Sequence, residues 1–185
     1  MIFYSGSRYQ EYLEIMEGEI EKLERGDLGR LRSVYGVFAT QDDQLIKRAG
    51  EAVRQQLSPM TDLQLLGLCR KFGSYTSLEW SINWEEVSTE RIQKVLSREA
   101  CRYVLILGSF HPNGYYREKC VLAMAGYPGM LFWIFPRMND WVEQVRDAAE
   151  VVLDKFLTGC GAKELMESIP AFERLRAGRR RTEDR

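Results

Sequence analysis

Apolar positions recur every three or four residues along most of the chain, the signature of helices that bury one face. Over residues 7–25, Tyr9, Tyr12, Leu13, Met16, Ile20 and Leu23 form one stripe, and Gly26 ends it. A shorter helix is expected over 28–38. In "TQDDQLIKRAGEAVRQQL", Thr40 is placed to cap a helix, Asp42 and Asp43 suit its positive N-terminus, and Leu45, Ile46, Ala49, Val53 and Leu57 make the stripe. Ser58-Pro59 stops it. "TDLQ" (61–64) has the capping-box pattern and opens a helix to about Phe72. The pattern predicts further helices over about 89–96, 97–110, 114–125, 128–138 and 140–157, then 161–168 and 170 to near the end. "HPNG", "YPG" and "TGCG" turns punctuate this second half. The stretch 73–88, with Trp80 and Trp84, breaks the period and reads as a loop with one helical turn, its tryptophans plugging a gap between irregular units. No useful length alternates with period two, so the expected class is all-α.

Composition narrows the picture by exclusion. The 185 residues suit one domain or one compact array of repeats. A formal net charge of −1 gives no global pull toward nucleic acid or anionic lipid. Cys69, Cys101, Cys120 and Cys160 form no C-x-x-C pair and are expected to be small buried hydrophobes. A single histidine, His111, excludes a His-rich metal centre and reads as a turn residue. Glycine-rich phosphate loops, metalloprotease helices and nucleophile elbows are missing, so no catalytic, cofactor-binding or metal residue is assigned. The N-terminus turns acidic where a signal peptide should turn apolar, and no apolar run approaches the ~20 residues a membrane helix needs. A cytoplasmic location without membrane contact is the default expectation.

The helices come in pairs joined by short turns, which directs attention to repeats. "VRDAAEVVL" (145–153), moved back by 29 residues, lies on "YREKCVLAM" (116–124), with Arg146 on Arg117 and Asp147 on Glu118. Moved back by 99, it lies on "IKRAGEAVR" (46–54). In "NDWVEQVRDAAEVVL", Asp140 is placed to cap and Glu143 to complete the box. Val145, Ala149, Val152 and Phe156 form one face, and the small Ala148 and Ala149 admit a neighbouring helix. Arg146, with a long stem and a planar head, is expected to reach an acidic group or a helix-end carbonyl on an adjacent unit.

Asp140 followed by Val145, Arg146 and Ala149 is similar to the second helix of a HEAT repeat. "HPNGYYREKCVLAM" (111–124) resembles a second copy, with His111 in the Asp position and Tyr116 in the Val position. "DDQLIKRAGEAV" (42–53) is a weaker third, with Gln41 and Lys47 in the Asp and Arg positions. The whole resembles a group of uncharacterised bacterial HEAT-repeat proteins. The resemblance implies an α-solenoid of stacked helix pairs: a capping helix over 1–27, repeats over 28–57, 62–96, 97–126 and 128–157, and an incomplete repeat or cap over 161–185. The tail from 161 opens another helical pair without completing it, so the chain is expected to be the N-terminal part of a longer array rather than to end on a polar cap. Asp140, Val145, Arg146, Arg117 and Ala149 are then repeat-stacking residues.

Such stacks present a concave groove and serve as non-enzymatic scaffolds or adaptors for a protein or peptide. Trp141, Trp133 and Arg137 are the candidate contact residues. The competing expectation is a nucleic-acid enzyme like the HEAT-like glycosylases of alkylated DNA bases, for which Trp133, Trp141, Asp140 and Arg146 supply the residue types. The near-neutral charge argues against it.

Overall fold

A computed structural model of the chain describes residues 6–73, 82–159 and 169. The helices expected over 161–168 and from 170 onward, and Trp80, lie outside the described residues. Within them the regular elements are helical, as the apolar period requires, and no β-strand occurs. The protein is all-α. Two compact units divide it, Met1–Cys120 and Val121–Arg185.

In the first unit, α1 (Gly6–Glu24) buries Met16, Ile20 and Leu23. It ends where Gly26 takes φ +98°, a left-handed value that only glycine adopts cheaply. The helix expected over 28–38 is instead a five-residue α2 (Leu31–Tyr35) flanked by 3₁₀ turns, Leu28–Arg30 and Gly36–Ala39. The Thr40 hydroxyl turns back to close the second of these on the Val37 carbonyl, at 2.8 Å. The cap of α3 (Asp43–Leu57) therefore falls on Asp42, whose Oδ1 accepts the Leu45 N–H at 2.9 Å. The capping box at Thr61 forms as expected and opens α4 (Asp62–Gly73). The Thr61 N–H donates to Gln64 Oε1 at 2.9 Å, and the Gln64 N–H to Thr61 Oγ1 at 3.4 Å. Ser88 and Ser97 cap α5 (Thr89–Val95) and α6 (Arg98–Gly108). α7 (Gly114–Ala123) follows the "HPNG" turn. α3 packs against α1 and α6, and α5 lies against both α3 and α6.

In the second unit, the single helix expected over 128–138 is a short α8 (Leu131–Ile134) followed by a 3₁₀ turn, Phe135–Arg137. Pro136 has no N–H to continue the α ladder, so the chain tightens there. α9 (Glu143–Gly159) packs on α8 and on the 3₁₀ turns Met124–Gly126 and Phe135–Arg137. Val145, Ala149 and Val152 are fully buried on its inner face. Among the described residues no helix is long and apolar enough to cross a membrane.

Candidate functional site

Residues 111–120 and 140–149 have the same backbone course: a coil residue, two bends, then helix. In the second segment the Asp140 Oδ1 accepts the N–H of Val142, two residues on, at 3.0 Å. In the first, His111 Nδ1 accepts the N–H of Asn113, again two residues on, at 3.1 Å. The arginine six residues after each then reaches back to the main chain. Arg146 donates to the Asp140 carbonyl at 2.9 Å, and Arg117 donates to the His111 carbonyl and to that of Pro112 at 3.1 Å. Val145 and Tyr116, and Ala149 and Cys120, are fully buried at matching positions. The weaker segment at Gln41 lacks the device: Lys47 is exposed and Asp42 makes the cap.

Two expectations change here. Asp140 does not cap α9, which starts at Glu143; its carboxylate closes an Asx turn and pairs with Arg137 at 3.0 Å. Arg146 holds the carbonyl of its own turn rather than one on an adjacent unit. The helix entry leaves that carbonyl facing the arginine's face, one and a half turns along, and an apolar stem of that length spans the gap.

Around His111 the first unit gathers aromatic rings from distant parts of the chain. The His111 ring lies 4.2 Å from Trp84, 5.2 Å from Tyr116 and 6.0 Å from Tyr35, centroid to centroid. Tyr35 stacks on Trp84 at 5.8 Å and meets Phe72 edge-on at 5.0 Å. The Tyr35 hydroxyl donates to the Val104 carbonyl at 2.9 Å, so the Tyr116 hydroxyl, 3.2 Å away, must donate to Tyr35. Both phenols are fully buried, and burial pushes their pKa values well above the ordinary one. Gly108 admits this arrangement, because a Cβ there would collide with Cys120 Sγ and the Tyr35 hydroxyl. Cys69, Cys101 and Cys120 are buried thiols, as expected.

A recess of about 90 Å³ opens beside the cluster, bounded by Tyr12, Met16, Arg32, Phe72, Trp84 and His111. His111 is 3% exposed. Burial, with the nearby Arg117 and Arg32 charges, lowers its pKa from 6.5 to about 3. The imidazole is therefore neutral. Because Nδ1 accepts from Asn113, the proton sits on Nε2.

Compared with known proteins, the chain matches no family model, no curated protein and no solved structure.

The expected contact residues separate on this geometry. Trp141 is 81% exposed at the mouth of α9. Trp133 is 1% exposed and packs edge-on against Phe132 at 4.9 Å, so it is a core residue and not a contact residue. Arg137 is largely covered and committed to Asp140. Arg117 and Asp140 are buried, and Arg146 partly so, with their polar atoms engaged in the turns. Tyr35, Trp84 and His111 form a cluster that no local pattern announced; only the placement of His111 in an Asp position hinted at it.

Proposed function

We propose that the chain is a short α-solenoid of the HEAT type that acts as a non-enzymatic scaffold, engaging a protein or peptide through Trp141. The repeated device carries this reading: the same turn, the same acceptor two residues ahead of its donor, and the same returning arginine recur at an offset of 29 residues. Repeats of this length that share a helix-entry geometry are the units from which stacked binding arrays are built. Trp141 directly follows the first turn position in one copy and exposes a large, rigid, amphipathic ring, the type most enriched at binding hot spots. The residue types that favoured a nucleic-acid enzyme are engaged in structure, since the Asp140 carboxylate holds Arg137 and the Val142 N–H.

Selection of displayed peptides on the full chain, followed by rescreening on Trp141→Ala, tests this reading. Peptides whose binding drops at least about tenfold on the variant are expected. Selected peptides that bind both forms equally, or retention of the chain on a duplex-DNA column at moderate salt, would overturn it.

A further inference from the structure

We infer that the first unit associates with a second copy of itself, the outer face of α1 in one copy packing antiparallel on the outer face of α4 in the other. Both helices belong to Met1–Cys120, so the contact does not depend on Trp141.

Each helix carries a charge, a large apolar side chain and a gap on one stripe. On α1, Glu11, Ile15 and Gly18 follow at intervals of four and three; on α4, Leu63, Gly67 and Arg70 do the same. Ile15 is 55% exposed and Leu63 44%. A single exposed isoleucine or leucine is ordinary. The glycines are not. Both lie inside helices without a left-handed φ, and a Cβ at either would meet no described atom within 4 Å. The fold of one copy therefore gives no reason for glycine, which is a poorer helix former than any residue but proline. What glycine does supply is room for close approach by a partner's side chain.

The chemistry of the two stripes matches in one direction. Laid antiparallel, Glu11 meets Arg70, Ile15 enters the gap at Gly67, and Leu63 enters the gap at Gly18. Each stripe spans seven residues, about 10.5 Å, so the outer pairs fall in register and the central pair is offset by one residue, about 1.5 Å. Laid parallel, Ile15 would still reach Gly67, but Glu11 would fall on Leu63 beside the like charge of Asp62, and Arg70 would face Gly18. Glu11 and Arg70 are exposed, and neither forms an ion pair with another described residue of its own chain. Opposite charge thus sets the direction, and the two apolar side chains with their facing gaps supply the packing. One helix pair buries less than the roughly 1,200–2,000 Å² of a standard interface, so the association is weak.

Sedimentation equilibrium of the full chain between about 5 and 500 µM tests the contact, and the weight-average mass should rise with concentration, with a dissociation constant of about 0.1 mM. Gly18→Gln and Gly67→Gln each fill one gap with a better helix former. Each should raise the thermal unfolding midpoint yet weaken association at least about tenfold, opposite effects that a misfolded variant would not give. Mixing the two variants pairs the intact α1 face of one with the intact α4 face of the other, so the mixture should associate again, as one-to-one dimers. Arg70→Glu should weaken association about tenfold, and Glu11→Arg in the same chain should recover it. A single-chain mass that stays constant up to about 500 µM, association undiminished in Gly67→Gln, or a mixture no more associated than its components would overturn the assignment.

Discussion

In the segment 111–120 a histidine accepts the hydrogen bond that opens the helix; in 140–149 an aspartate does. The turn thus requires an acceptor at its first position and no charge, because the returning arginine binds the main-chain carbonyl and not the side chain. What the first side chain may be is then decided by its surroundings. Asp140 has Arg137 three residues before it to neutralise a buried carboxylate. The residue at the matching place before His111 is Gly108, which must stay small for Tyr35 and Cys120. No arginine stands three residues before that position, and a neutral imidazole meets the turn's need inside an aromatic cluster. Architecture holds the backbone constant, and the first position is left open to acquire chemistry.

Removing the arginines breaks this comparison most severely. Arg117→Met strips the buried His111 carbonyl and the part-buried Pro112 carbonyl of their donor and should cost about 3 kcal/mol. Arg146→Met strips one, partly exposed, and should cost about 1 kcal/mol. Urea unfolding of the two variants measures the ratio; equal losses would show that burial does not distinguish the two turns.

A smaller effect comes from pH. With a pKa of 6.5 when unfolded and about 3 when folded, His111 takes up its proton first in the unfolded chain. Its contribution is intact above pH 6.5 and is lost progressively as pH falls through that window toward 3. At about pH 5 the loss should reach roughly 2 kcal/mol relative to His111→Asn, which has no ring to titrate. Parallel stability curves for the two proteins between about pH 7 and 5 would contradict a buried neutral imidazole.

The smallest effect on stability is expected at Trp141. Replacement by alanine should change the unfolding free energy by less than about 0.5 kcal/mol while weakening binding of the selected peptides at least about tenfold. A large loss of stability would place its ring in packing instead.

Helix positions and the Thr61–Gln64 box were legible because both depend on residues three or four apart. So was the 29-residue offset, and with it Arg117 and Arg146. Their targets were not, since a returning arginine looks the same in sequence whether it grips its own turn or a neighbour. Pro136 did carry a readable signal for the break after Ile134, and the apolar run "MLFWIF" masked it. Trp133 was misassigned for a related reason: an apolar run does not say which ring meets solvent. The recess was illegible altogether. Tyr35 meets Tyr116 across 81 positions, and no periodicity links Tyr12, Arg32, Trp84 and His111.

The chain has one histidine, so its ring nitrogens give a single spin system. Long-range ¹H–¹⁵N correlation on the uniformly labelled protein therefore reports directly on whether His111 replaces aspartate as a neutral acceptor. At about pH 7 the ring should be the Nε2–H tautomer, and it should stay so down to about pH 4.5. A ring protonated on Nδ1, or one that titrates near 6.5, would contradict the equivalence of the two turns.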